Sequence, residues 1–188
     1  MSSIAMATGK YTSEKVTFSS HGETIVGKLF APVSESKGTV VIMGPVAFIK
    51  EQVPYQYATR LALEGYTALI FDPRYHGESS GEPRRYESRR AKVEDISAAI
   101  DYLAGRTDIN TKGLHVLGVC QGVNWVAEAA TLDKRIDNVV MIAGHYLTPK
   151  VAELYLGSND EVKKRIAEAK VSKKKFETSG DVDYINVI

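Results

Sequence analysis

A chain of 188 residues with 44% hydrophobic content fits one globular domain able to bury its own core. Its 24 Lys and Arg nearly balance 23 Asp and Glu, for a formal charge of +1, which argues against nucleic acid and against a strongly acidic partner. A single cysteine leaves no internal disulfide, the four scattered histidines (His21, His76, His115, His145) lack metal-ligand spacing, and no window approaches the ~18 consecutive apolar residues of a membrane span. The expectation is a cytoplasmic protein without signal peptide, metal or organic cofactor.

Residues 1–13 are small and polar without period and read as a flexible N-terminus. Lys15–Phe18 and Thr24–Phe30 then alternate apolar and polar residues around Ser19-Ser20-His21-Gly22, an antiparallel hairpin whose turn puts His21 at the surface. Gly38–Met43 is a continuous β-branched run, the pattern of a strand buried on both faces, and it stops at Gly44-Pro45. Residues 53–64 carry Tyr57, Ala58 and Leu61 at helical spacing and end at Gly65. Tyr66–Phe71 is a second buried strand, followed by the turn-rich stretch Asp72–Pro83. From Lys92 to Gly105 an amphipathic helix gathers Val93, Ile96, Ala99, Ile100 and Leu103 on one face.

Next comes Gly113–Ala130, an apolar β-like run that breaks at Gly118-Val119-Cys120-Gln121-Gly122 and resumes with helical character. A strand, a very tight turn and a helix place Cys120 at a strained, exposed centre, and glycines two before and two after it let strand and helix approach. The Gln121 amide falls at the helix start, where unpaired N–H groups and the dipole favour negative charge. The competing reading is a buried structural cysteine between two packing glycines. His115, inside the strand, reads as a core or sheet-face residue.

Residues 136–144 supply one more buried strand, and strands near 38, 66, 113 and 138 separated by helices define an α/β fold. Its sheet is mostly parallel with helices on both faces and an N-terminal antiparallel hairpin. Ligands of such sheets collect beyond the carboxyl ends of the strands, where Gly44, Asp72, Cys120 and His145 fall. After Thr148, a short helix with Pro149 in its first turn precedes a charged helix capped by Ser158 and running to about residue 170, with Lys173–Lys175 at its solvated end. The last residues, 181–188, end apolar.

Taken together, Pro45 with Lys50-Glu51-Gln52, Phe71–Ser79 with Gly81–Pro83, Val93–Asp95 with Ala99–Leu103, and Leu117–Gly122 resemble the α/β-hydrolase superfamily. The branch they look like is the dienelactone-hydrolase-like one with cysteine at the nucleophile elbow. The resemblance implies Cys120 as nucleophile, the Gln121 and Val46 amides as oxyanion donors, and Gly44, Pro45 and His76 at the pocket wall. Two departures stand out. Gly44 replaces a polar residue, often histidine, and Ala47 and Phe48 replace small glycines. The family's acid and histidine follow the nucleophile on loops after two further strands, which are not recognisable after Gly144. The chain therefore resembles the first three fifths of a family member: an incomplete core at 14–146 and a helical, lid-like segment at 147–188.

A free thiol is only a few per cent thiolate at neutral pH, so a cysteine hydrolase needs a histidine in reach. His145, just past the strand beside the elbow strand, is the candidate base inside this chain. Three readings remain open from the sequence. The first is a hydrolase of small carboxylic esters or lactones whose acid and histidine come from outside the chain. The second is a non-catalytic binding or interaction protein, and the third a truncated fragment of a larger hydrolase. The strand edge at 138–144 is expected to recruit a complementing chain or to form a homo-oligomer.

Overall fold

The computed structural model describes residues 6–7 and 9–185; the rest of the expected N-terminal tail and the last three residues of the apolar end lie outside them. Contacts divide the chain into a unit ending at His145 and a second from Tyr146 onward.

The first unit is built on one sheet. Its strands in chain order are β1 (Met6–Ala7), β2 (Tyr11–Ser20), β3 (Glu23–Pro32), β4 (Thr39–Met43), β5 (Thr67–Phe71), β6 (Leu114–Val119) and β7 (Asn138–Ile142). Among the described residues they lie in the order β1-β2-β3-β5-β4-β6-β7. The β1 to β3 strands and the β3–β5 pairing are antiparallel, whereas β5, β4, β6 and β7 run parallel. The hairpin is longer than the sequence pattern indicated, with register from Tyr11↔Pro32 to Ser20↔Glu23. So β2 claims residues expected to be flexible. Its two-residue turn takes His21 and Gly22 at φ 49° and 85°, the doubly left-handed turn that matches the twist of two antiparallel strands.

Helices α1 (Val53–Leu63), α2 (Arg89–Ala104) and α3 (Gly122–Leu132) cover both faces. Strand alternation decides which residue meets which helix. Val41, Met43, Leu69, Phe71 and Val116 pack with Ile96, Ile100 and Leu103 of α2 and Trp125 and Val126 of α3. Val40, Ile42, Ala68, Ile70 and Leu117 face the opposite way onto Ala58 and Ala62 of α1. Each fully buried aliphatic side chain contributes about 1.5–3 kcal/mol, which is why the central strands read as continuous apolar runs. Helix α2 starts before Lys92: Ser88 caps it, its Oγ accepting from the Ala91 amide. Among the described residues β7 is the last strand of the sheet; it is not the buried strand its apolar run suggested, since Val140 and Met141 are exposed and no residue of it is fully buried.

The second unit holds α4 (Pro149–Leu156) and α5 (Asn159–Ser179). Thr148 and Ser158 cap them through the Val151 and Glu161 amides. Helix α5 runs well past residue 170, so Lys173–Lys175 lies inside it rather than at its end. No breaker intervenes before Gly180, whose left-handed φ of 77° closes the helix. Its pairs Lys163–Asp160 and Lys173–Glu177 supply the spaced charges that support a helix polar all round. Among the described residues no helix is long and apolar enough to cross a membrane.

Candidate active site

The site starts from a backbone constraint. Cys120, between β6 and α3, has φ 56°, a left-handed conformation costing a non-glycine residue about 1–2 kcal/mol. Neighbouring strands hold it there. The Cys120 amide donates to the Ile142 carbonyl at 3.0 Å, and its carbonyl accepts from the His145 amide at 3.1 Å and the Val123 amide at 3.3 Å. Asn124 Nδ2 then donates to the His145 carbonyl at 2.7 Å and to the Gln121 carbonyl at 3.2 Å. The turn and the segment after β7 are thus laced together around a half-buried thiol that is not sealed in the core.

The flanking glycines are sterically required. A Cβ on Gly118 would lie 2.6 Å from the Gly122 carbonyl carbon, and one on Gly122 would lie 2.5 Å from the Gly44 carbonyl oxygen. The second contact brings the end of β4 against the first turn of α3. The segment after β4 therefore starts beside the cysteine turn.

That segment, Gly44 to Phe48, has its own strain and its own support. Ala47 is left-handed at φ 54°, and its amide donates to Glu87 Oε1 at 2.7 Å. Phe48 folds back so that its ring takes the space of a Gly44 side chain, 2.6 Å from an ideal Cβ there, and stacks on Trp125 at 6.5 Å between centroids. A side chain at 44 and the ring of 48 therefore exclude each other.

A model of the alpha/beta hydrolase fold matches residues 50–180. The chain belongs to the α/β-hydrolase family. An uncharacterized protein of Pseudomonas aeruginosa is 34% identical over 157 residues, 81% of this chain and 42% of its own. Its crystal structure aligns with a TM-score of 0.81 at 29% identity, over 92% of this chain and 56% of that one. A polyketide transferase of a Penicillium species is 32% identical over 65% of this chain and 41% of its own. A thiohydrolase of Arthrinium phaeospermum is 31% identical over 69% of this chain and 42% of its own. The chain thus spans about two fifths of the length of the curated relatives it matches.

In this α/β hydrolase the other expected site residues fall in distinct places. Pro45 and Val46 are half-buried in the loop after β4. His76 is buried, with Nδ1 2.9 Å from the Arg74 carbonyl and Nε2 3.0 Å from Glu87 Oε1, though off the line of a hydrogen bond. The structure therefore ties His76 to the support of the Ala47 loop. His145 is half-buried and meets the cysteine turn through its backbone. His115 lies half-buried on β6, its Nδ1 3.2 Å from Asn138 Nδ2, and His21 sits 3.6 Å from Glu94 at the hairpin turn.

The stretch after β5 is stapled by buried charges. Asp72, fully buried, accepts from the Lys50 amide and Lys50 Nζ at 2.7 Å and from the Glu78 amide at 2.9 Å. Arg74 is held by Asp95, whose Oδ1 also accepts from Ser20 at 2.7 Å. Burial pushes the Asp95 carboxyl up against the pull of these donors.

Sequence reasoning missed Glu87, Lys92 and Asn124. Lys92 is 1% exposed, with Nζ paired to Glu87 Oε2 and lying 4.2 Å from the Trp125 ring centroid and 5.7 Å from that of Phe48. Burial pushes its ammonium below the ordinary lysine value, against the opposing pull of Glu87. The available signal was Lys92 on the apolar stripe of α2 with Ile96, Ala99 and Leu103. The cleft lined by Arg89, Arg90, Val93, Glu94, Glu128 and Leu132 contains none of the expected site residues.

Proposed function

We propose that this chain carries the nucleophile half of a hydrolase acting on small carboxylic esters, thioesters or lactones through a Cys120 acyl intermediate, in the manner of the dienelactone-hydrolase-like branch. The observation that carries the reading is the left-handed Cys120 between two glycines that have no room for a Cβ, with Gly44 packed on Gly122. In this reading the side chain stands at the sheet's rim, and the amides of Gln121 and Val46, for which no backbone acceptor is found among the described residues, serve as its oxyanion donors. Relatives named as a thiohydrolase and a polyketide transferase support acyl chemistry over other uses of the fold.

In this reading Cys120 Sγ, its proton taken by a histidine, attacks the acyl carbon, and the carbonyl electron pair moves onto oxygen. The Gln121 and Val46 amides hold that oxyanion. Collapse breaks the bond to the leaving alcohol or thiol, which regains the proton, and water then releases the acid from the thioester. His145 is the base candidate within residues 1–188, and the acid and histidine of a full triad come from outside them. Gly44 and Pro45 line the acyl side, and a reducing cytoplasm suits a working thiol.

Hydrolysis of a short-chain p-nitrophenyl ester by the parent and by Cys120→Ala tests the reading, together with intact-mass detection of the acylated chain. The expected result is a Cys120-dependent rate and adduct. Equal rates with no adduct would remove the enzyme reading and leave a binding protein.

We also infer that β7 pairs with the β7 of a second copy. Strand β7 is the last in the strand order of the described residues, and Val140 on it is exposed. Sedimentation should show a dimer at tens of micromolar that Val140→Lys weakens. A monodisperse monomer refutes this, and a different copurifying polypeptide would replace the second copy.

A further inference from the structure

We infer that Glu87 is the positioning residue of the oxyanion loop: its carboxylate captures the Ala47 amide, holds residue 47 left-handed and thereby leaves the preceding amide, that of Val46, for substrate. The inference rests on the proposed acyl chemistry for its catalytic consequence, but not for its structural content.

Four observations converge on this carboxylate. Its Oε1 accepts from the Ala47 amide at 2.7 Å, across 40 residues of chain, so the bond is tertiary and not a local turn. Ala47 is left-handed without being glycine, so the loop conformation needs an external partner to persist. The His76 ring lies 3.0 Å from the same oxygen. Oε2 takes the Lys92 ammonium, which is itself clamped against Trp125 and Phe48. Phe48 closes the circuit, since it belongs to the same loop and fills the space over Gly44.

The consequence is directional. A backbone amide turned toward a carboxylate cannot at the same time serve an oxyanion on the other side of the loop, so Ala47 is removed from the set of donors. With the loop pinned at Ala47 and at Phe48, the amides on the cysteine side are preorganised and need not reorient as charge develops. Glu87 acts through the loop and does not touch the substrate.

Removing Glu87 alone strands a buried ammonium, so the test uses paired variants. Glu87→Gln/Lys92→Met keeps an acceptor for Ala47 and removes both charges; Glu87→Ala/Lys92→Met removes the acceptor as well. Ester turnover by the acceptor-less pair should fall about 100-fold in kcat, the loss expected for one misplaced oxyanion donor, with KM changed less than about threefold. The acceptor-retaining pair should stay within about fivefold of the parent. Iodoacetamide alkylation of Cys120 needs no oxyanion site and should proceed at the same rate in all three, showing the turn intact.

A second readout is independent of catalysis. Residue-resolved amide exchange should show Ala47 protected in the parent and in the Gln/Met pair, and unprotected in the Ala/Met pair. Trp125, the chain's single tryptophan, should shift its emission when the ammonium leaves its ring. Equal exchange at Ala47 in the two pairs, or a catalytic loss confined to KM or shared equally by both, overturns the inference. If the parent turns over no ester, the hydrolase reading falls and the exchange result alone decides the role of Glu87.

Discussion

The carbonyl oxygen of Gly44 stands 2.5 Å from where a Cβ on Gly122 would be, so the loop after β4 and the start of α3 touch only because residue 122 has no side chain. The Met43 carbonyl oxygen closes the same space at 2.9 Å. Both neighbours are backbone of a central, fully buried strand end, which cannot yield as a flexible side chain would.

Gly122→Ala should therefore destabilise the chain by about 2–3 kcal/mol, the range for forcing volume into a packed interior, and push the loop at Gly44 away from the cysteine turn. A urea midpoint lowered without change in slope, together with lost ester turnover, is the expected outcome. Wild-type stability would show that strand and helix are not in contact there.

At Cys120 the strain runs the other way. Any side chain with a Cβ at φ 56° carries the left-handed penalty, and alanine retains it while glycine releases it. Cys120→Gly should thus melt higher than Cys120→Ala, by the equivalent of about 1 kcal/mol, although the added freedom of unfolded glycine trims the gain. Coincident melting curves would mean that the turn relaxes once the sulfur is gone.

Gly44 and Phe48 should behave as one unit. Gly44→Ala places a methyl group against the Phe48 ring, and Phe48→Ala opens a hole beside Trp125. Each alone should destabilise by more than 1 kcal/mol, and the double variant by less than the sum, with a coupling of about 1–2 kcal/mol. Additivity in denaturant melts would count against mutual exclusion of the two side chains.

How far these relationships could be read beforehand follows from their range along the chain. Strands β4, β5 and β6 were legible because a parallel strand buried on both faces must be apolar throughout, and the cysteine turn because two glycines bracket it between a β run and a helical run. The start of α2 was not, since its Ser88 cap stands among charged residues with no apolar period. The end of α5 was hidden for a related reason: a helix polar on all sides has no stripe to run out. Glu87 stands between Arg84-Arg85 and Arg89-Arg90 with no local pattern to mark it. Its contacts with Ala47, His76 and Lys92 appear only in the fold, whereas Lys92 announced itself weakly as a charge on an apolar stripe.

The engagement of Glu87 also sets an acid dependence. Burial alone would push its carboxyl up, but the contacts from His76 and the Lys92 ammonium outweigh burial and hold it at about 2, against an ordinary 4.5. Between those values the unfolded chain binds the proton more readily than the folded one. Stability from this group is thus complete above about pH 4.5 and is lost as the pH falls toward about 2. Glu78, held at about 2 by Lys15 and Lys50, titrates in the same window, so it is kept in both proteins compared and its contribution cancels. From pH 6 to pH 3 the parent should lose on the order of 1–2 kcal/mol more than Glu87→Gln/Lys92→Met, a figure reduced for the partial exposure of the carboxylate. Parallel stability curves for the two proteins would show that the carboxylate is no better placed in the folded chain than in water.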